Sequence, residues 1–448
     1  MRSIAEIKQD EKVQRAVLIT LKLLKKVMVV FSSIFLNVYI FQALDNDFSM
    51  YLIGLISAIV FNQIFSLVIF SVLSQKNAML IYRASFVFDI FLIILVIFIK
   101  SPTLPIILMF YALQELSNNC FYGPHEIGEM KATGHKNSSK YLVISTIFTS
   151  IVGIVSPFLS GLIIDKMSYT ILFIIVGFIA LVMFVVSIFM KDFDIVSRKL
   201  QLKQFCQKAF KKTHIKSFYL SFTFFRFSIG GTVYSILPVV LFMKTNSEFS
   251  LGTYSSIFAL LTILSLTIFM FIKRKDIVTI VAVVFMCVAS IVLSFVSTFA
   301  MFIVFNAIYY SFGKIYENEV FSTRLNVIKT KELENYKKEH HLVYDIFANI
   351  GYMLGFLLIF LLYSVIPSAD ALTIIIGGLG LFMIISLVLL IRAQNLYAKE
   401  VAQEELAESL PAEDKVIFIA IMRLSFDITL LTNVNFVIQY AHGGKYGR

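Results

Sequence analysis

Apolar runs long enough to cross a bilayer recur along the whole chain, and they limit its fold more than any other feature. A membrane-spanning helix needs about 20 apolar residues, and 141–164 is one such run. Only 15% of the residues are charged and 58% are hydrophobic, whereas soluble domains carry charge on about a quarter of their residues. The chain is therefore predicted to be an all-α polytopic membrane protein.

The hydropathy pattern predicts twelve transmembrane helices, at approximate limits of 27–44, 50–73, 78–99, 104–122, 141–164, 169–190, 217–243, 251–272, 277–298, 300–321, 342–366 and 371–391. A basic cytoplasmic linker, 191–216, divides them into two six-helix bundles, 27–190 and 217–392. The basic, amphipathic segment 1–26 is expected along the cytoplasmic membrane face. Two bundles joined in this way are typical of secondary transporters.

Lys and Arg are distributed unevenly between alternate loops. Most of the 39 lie in the amino-terminal segment, in the carboxyl-terminal tail and in loops after even-numbered spans. The opposite loops hold only Lys100, Lys166 and Lys244. Because cytoplasmic loops are enriched in Lys and Arg, both termini are predicted to be cytoplasmic, in a cell membrane. The same bias explains the net charge of +11 without a nucleic-acid partner.

The predicted cytoplasmic tail, 393–448, has an acidic stretch and then a second apolar run, 415–440. That run is compatible with a thirteenth span, a short hairpin or a surface-lying segment. Arg423 and Asp427 argue against the span, because a charge near the bilayer centre costs about 3 kcal/mol.

Small residues recur at helical spacing on one face of the fifth span, where another helix could pack closely. Pro157 lacks an amide hydrogen, so the carbonyl of Gly153 loses its helical partner. Gly153, Pro157 and Gly161 are therefore candidates for a gating surface, and the alternative is an ordinary tight helix contact.

Residues 27–392 resemble the major facilitator superfamily. Gly153, Pro157 and Gly161 are similar to its glycine- and proline-rich span 5 motif, which is common in exporters. The run NCFYGPHEIGEM after span 4 resembles the efflux-type branch. Several motifs depart from the family pattern: Ser156 replaces a glycine, Tyr111 stands where proton-driven exporters often have arginine, and the loop after span 2 keeps only Lys76 as a cation.

The resemblance implies that spans 1, 4, 7 and 10 line a central cavity. Polar groups in hydrocarbon usually face partners or a cavity, so those at mid-depth on these spans are candidates for substrate binding. They are Asn37, Tyr111, Glu115, Asn118, Arg226, Asn306 and Tyr310. An interhelical hydrogen-bond seam is the alternative on span 4. If Glu115 and Arg226 face each other, Glu115 could couple proton movement to transport. Asp89, on the peripheral span 3, is expected to be a structural partner.

A second charged group is predicted near the cytoplasmic ends of spans 10 and 11, with Lys314, Glu317 and Asp345 as gate residues. Exposed helix-end charges are the alternative explanation. Three scattered cysteines and the adjacent His340 and His341 have no metal-ligand spacing. No phosphate-binding loop or hydrolase motif is present, so neither a cofactor nor an enzyme activity is expected.

The sequence thus favours a secondary transporter that exports a lipophilic or amphiphilic small molecule across the lipid bilayer, with proton antiport as one way of driving it. Two alternatives stay open. One is an importer of a small nutrient or peptide whose carboxylate binds Arg226. The other is a non-transporting membrane sensor or partner protein, to which the unusual tail is the clue.

Overall fold

The computed structural model describes residues 11–74, 76–98, 103–192, 200–228, 232–272, 274–327, 333 and 336–409, with the side chains of 11, 12, 15, 126–147, 325, 327, 337 and 403–409 outside that description. All regular elements within these residues are helical. They are α1 (Glu11–Phe31), a π-helical turn (Ser32–Leu36), α2 (Asn37–Ala43), α3 (Phe48–Val72), α4 (Ala78–Phe98), α5 (Leu104–Lys166), α6 (Tyr169–Ile188), α7 (Leu202–Ala209), α8 (Thr213–Phe227), α9 (Tyr234–Thr245), α10 (Glu248–Phe271), α11 (Lys275–Phe295), α12 (Phe299–Val327), α13 (Lys337–Val365), α14 (Ala369–Gly380) and α15 (Met383–Ser409).

Among the described residues, nine helical segments are long and apolar enough to cross a membrane. They lie in α3, α4, the end of α5, α6, α10, α11, α12, α13 and, taken together, α14 and α15. Many large apolar side chains point outward, with Phe271 83% and Phe295 85% exposed, as lipid-facing positions require. The protein is a multi-pass membrane protein, while the count of twelve spans and their grouping into two bundles stay predictions.

The expected loop between spans 4 and 5 is helical, because α5 runs without interruption over 63 residues. A straight helix of that length would measure about 95 Å. Both ends of α5 nevertheless lie near Tyr39: Ile106 lines a small pocket with it, and the ring of Tyr169, just after α5, is 5.1 Å from its ring. This helical stretch is therefore not straight but turns back on itself. Its two arms are 104–125 (the first arm) and Phe148–Lys166 (the second arm).

The amino-terminal segment also differs from the expectation. Residues 11–26 are continuous with span 1 in α1, and Leu18 and Leu21 are buried inside the protein rather than lying along a membrane face. Gln14 fixes the start of α1, since its amide donates to the Phe189 carbonyl at 3.0 Å and accepts from the Lys191 amide at 2.7 Å. Residues 1–10 lie outside the described part.

The predicted span 217–243 is broken. Helix α8 ends at Phe227, one residue after Arg226, and α9 starts at Tyr234. Residues 229–231, between the two helices, lie outside the described part. Discontinuous helices of this kind often form substrate sites in transporters.

The chain divides into two units, Met1–Leu390 and Ile391–Arg448. In the second unit the final helix extends to Ser409, and the apolar run 415–440 lies outside the described residues. The predicted linker contains α7, whose Phe205 and Ala209 are buried, and 193–199 of that linker are likewise not described.

Candidate functional site

Two adjoining cavities lie among helices that are far apart in sequence. The first, the amide lobe, has a volume of about 400 Å³ and is lined by Asn62, Gln114, Glu115, Asp345 and Asn349. The second, the lysine lobe, has a volume of about 520 Å³ and is lined by Lys26, Pro157, Tyr310, Lys314 and Glu317. Five residues line both lobes: Ser33, Asn37, Arg226, Ser235 and Tyr352. Each volume lies in the range of ordinary small-molecule sites, about 300–1,000 Å³.

Glu115 is held in the amide lobe by a short chain of amides. Asn62 of α3 donates to its carboxylate at 2.8 Å. Asn349 of α13 in turn donates to Asn62 at 3.2 Å and to Gln63 at 2.9 Å. The expected pairing of Glu115 with Arg226 is absent, since no cation among the described residues lies within 4 Å of this carboxylate. Both groups nevertheless line the amide lobe.

Arg226 stands at the end of α8 and is oriented by aromatic rings and one hydroxyl. Its guanidinium lies 4.9 Å from the ring centre of Phe222 and 5.6 Å from that of Tyr352. It donates to the Tyr352 hydroxyl at 3.1 Å and approaches Glu317 of α12 at 3.9 Å. The guanidinium is therefore fixed between the two lobes, where a ligand in either could reach it.

The break after α8 is held by close backbone packing. The Arg226 carbonyl accepts from the Thr232 hydroxyl at 3.1 Å. Gly351 of α13 packs against this turn, because a Cβ there would lie 2.9 Å from both the Arg226 Cβ and the Phe227 amide nitrogen. Side chains larger than hydrogen at this position would displace Arg226.

The buried polar atoms on the wall of the amide lobe include the Tyr111 hydroxyl and the Gln114 carbonyl oxygen, which have no hydrogen-bond partner among the described residues. Buried polar groups are nearly always paired with protein, water or ligand. Unpaired groups on a cavity wall are therefore available to a bound solute.

The lysine lobe gathers cations around one carboxylate. Glu317 pairs with Lys314 one helical turn away and also approaches Arg226 at 3.9 Å. Lys26 of α1 lines the same lobe as Lys314 and Glu317. Of the three predicted gate residues, Lys314 and Glu317 pair with each other within α12. Asp345 faces His341 at 3.9 Å and Ser66 at 3.5 Å instead.

The span 5 residues separate into two environments. Gly153 and Pro157 line the lysine lobe, and a Cβ at Gly153 would meet nothing within 4 Å. Gly161 packs against α10 instead, where a Cβ would lie 3.2 Å from the Gly252 Cα. The Ser256 hydroxyl of α10 donates to the Ile154 carbonyl at 2.7 Å in the same seam.

The remaining predicted residues fall in different places. Asn37 and Tyr111 line the amide lobe, and Asn37 and Tyr310 line the lysine lobe. Asn306 is buried and its amide donates to the Phe302 carbonyl at 2.7 Å, away from both lobes. Asn118 lines a pocket of about 20 Å³ beside Lys25 and Asp89, too small for a solute.

Sequence reasoning missed several lining residues, including Lys26, Gln114, Asn349 and Tyr352. Lys26 was assigned to the cytoplasm because the start of span 1 was placed after it. Asn349 and Tyr352 share a face of span 11, three residues apart, with Asp345 one further turn back. That polar face within an apolar run is the signal that could have identified them.

No family model matches the sequence, and no curated protein matches it. Its fold, however, is shared with solved transporters. A mutant of the nucleoside transporter NupG aligns with a TM-score of 0.65 at 13% identity, covering 86% of this chain and 99% of that one. A second NupG structure gives 0.61 at 13% identity over 87% and 99%. A POT family transporter in complex with 5-aminolevulinic acid gives 0.65 at 11% identity over 85% and 96%. At such identities the likeness establishes the fold alone.

Proposed function

We propose that this chain is a secondary transporter that moves a small polar solute by alternating access around the two lobes. One observation carries the proposal: residues of α3, the first arm of α5, α8 and α13 line one cavity, and some buried polar atoms of its wall have no hydrogen-bond partner among the described residues. The solved proteins with the same fold, described as a nucleoside transporter and a POT family transporter, support it.

A polar solute fits the cavity better than the lipophilic compound that the sequence favoured. The amide lobe presents three asparagines, a glutamine, two carboxylates and a guanidinium. Such groups, once desolvated, need hydrogen-bonding partners that a lipophilic ligand cannot supply. Import of a small nutrient is therefore as well supported as export, and the partial exporter motif of span 5 is the remaining argument for efflux.

Glu115 is the proposed proton-coupling residue. Its carboxylate faces a cavity and lacks a cation within 4 Å, so it can exchange a proton with a solute or with water when the lobe opens. The seam between second-arm α5 and α10, at Gly161 and Gly252, is a proposed gating surface. We also propose that the protein lies in the cell membrane with both termini in the cytoplasm. The distribution of Lys and Arg between alternate loops supports this orientation.

The test is transport by purified protein in liposomes, with labelled nucleosides, amino acids and dipeptides as probes. The wild type should show counterflow of at least one probe and accumulate it when a proton gradient is imposed. Glu115→Gln should keep counterflow but lose gradient-driven accumulation. Asp370→Asn is the matched control, because Asp370 is exposed outside both lobes. Undiminished accumulation by Glu115→Gln would refute the coupling role.

A further inference from the structure

The charged groups that line the two lobes are segregated by sign. Apart from the shared Arg226, the charges lining the amide lobe are the carboxylates Glu115 and Asp345. Those lining the lysine lobe are Lys26, Lys314 and Glu317. One end of the combined cavity therefore carries excess negative charge and the other excess positive charge, with Arg226 between them.

The lysine lobe has more cations than its one carboxylate can neutralise. Glu317 is shared by Lys314 and Arg226, and Lys26 adds a third positive charge in the same region. Like charges repel strongly where water is excluded, since the interaction grows as the effective dielectric constant falls. An anionic group entering this lobe would relieve that repulsion.

The amide lobe has the opposite imbalance. Asn62 donates to one oxygen of Glu115, and among the described residues no cation lies within 4 Å of it. The nearby Lys25 is occupied by Asp89, to which it is bonded at 3.0 and 3.1 Å. The Gln114 carbonyl oxygen and the Tyr111 hydroxyl are unpaired in the same wall. Three acceptors thus face a space that an ammonium group would fill.

We infer that the substrate is amphoteric: its anionic group, such as a carboxylate, binds in the lysine lobe, and its amine binds beside Glu115. This substrate class rests on the proposed transport function. Both ends contribute to recognition, because each lobe alone would hold an unbalanced charge. Lys26 and Lys314 determine the preference for an anion, and Glu115 determines the preference for a cation.

Binding to the full-length protein in detergent tests the inference separately from transport. The probes are α-amino acids, ω-amino acids of three to six carbons and dipeptides, each also in N-acetylated, carboxamide and doubly capped forms. Calorimetry should show at least one amphoteric probe bound, and capping at either end should weaken its binding at least tenfold. Equal binding of capped and uncapped forms, or no binding by every amphoteric probe, would overturn the inference.

Variants assign each charge to its lobe. Lys26→Gln and Lys314→Gln should each weaken binding of the free-carboxylate probe at least tenfold, and should reduce the ratio of its affinity to that of the carboxamide form. Glu115→Gln should weaken binding of the free-amine probe at least tenfold, and should reduce the ratio of its affinity to that of the N-acetyl form. Lys244→Gln, outside both lobes, is the matched control and should change neither preference. If these variants leave both preferences intact, the assignment is wrong.

The two proposals fail in different ways. If an amphoteric probe binds but liposomes show no counterflow, the transport function is wrong and the amphoteric site stands. If counterflow occurs equally for neutral or singly capped probes, transport stands and the substrate class is wrong.

Discussion

Two buried charge clusters in this protein differ in how completely their charges are satisfied. The closed cluster consists of Lys25, Asp89 and Ser117: the Lys25 ammonium donates to both Asp89 oxygens and to the Ser117 hydroxyl at 3.0–3.1 Å. The two charged side chains are only 4% and 5% exposed. The open cluster consists of Arg226, Lys314 and Glu317, whose side chains are 14%, 42% and 13% exposed and line the lysine lobe.

The difference shows that burial of a charge does not by itself indicate function. In the closed cluster every strong donor of Lys25 has a partner and the neighbouring pocket of about 20 Å³ holds no solute, so its contribution is structural. In the open cluster the cations outnumber the carboxylate and face a cavity, so a ligand can still change their energy. The following variants test this difference between the clusters, beginning with the variant that should have the largest effect.

Removing the counter-ion from the closed cluster should cause the largest loss of folding stability. Asp89→Asn leaves the Lys25 ammonium buried without its counter-ion, and the expected loss of folding stability is about 3–5 kcal/mol. Thermal unfolding in detergent and the yield of monodisperse protein measure it. The double variant Lys25→Met with Asp89→Leu should recover most of the loss, since it removes both charges. A melting temperature unchanged in Asp89→Asn would show that Lys25 is solvated after all.

Breaking the open cluster should instead affect transport. Arg226→Gln is expected to reduce counterflow about 100-fold, or about 2.8 kcal/mol at 1.4 kcal/mol per factor of ten. Stability should fall by less than about 1 kcal/mol, because Glu317 keeps Lys314 as its partner. Arg226→Lys is the control that retains the charge but loses the planar fork. If Arg226→Gln unfolds as readily as Asp89→Asn, the contrast between the clusters is wrong.

A third prediction concerns the seam beside the open cluster. Gly252→Val adds a side chain whose Cβ would lie 2.5 Å from the Pro157 carbonyl oxygen and 3.2 Å from the Gly161 Cα. Overpacking of this kind costs about 1–3 kcal/mol and should also slow counterflow. Gly153→Ala is the matched control, because a Cβ there meets nothing within 4 Å. Equal behaviour of the two variants in counterflow and melting would exclude a tight seam.

The smallest effect is expected at an ion pair with one exposed member. Lys244 and Asp370 are 3.2 Å apart; the Lys244 side chain is only 10% exposed, but the Asp370 side chain is 70% exposed and therefore hydrated. Because exposed ion pairs contribute about 0–1 kcal/mol, Asp370→Asn should leave the melting temperature almost unchanged. A loss comparable to that of Asp89→Asn would mean that exposure does not separate these clusters.

Several residues of the site could be predicted from the sequence, but the contacts between them could not. A charged residue within an apolar run is conspicuous, so Glu115 and Arg226 were identified, and both line the amide lobe. Their expected pairing was wrong because Arg226 turns toward Glu317, 91 positions later in the chain. Lys25 and Lys26 were misplaced because they precede the apolar run, although α1 carries both into the protein.

The amino-acid sequence alone identifies the protein as helical and membrane-spanning, because apolar runs of bilayer length with few charges form membrane helices. It also identifies which predicted spans carry polar residues. It does not identify which polar groups meet, such as Asn349 and Asn62, which form a hydrogen bond although they are 287 positions apart. The physical reason is that such contacts depend on the rotation and offset of each helix against its neighbours, which side-chain packing sets and hydropathy does not record.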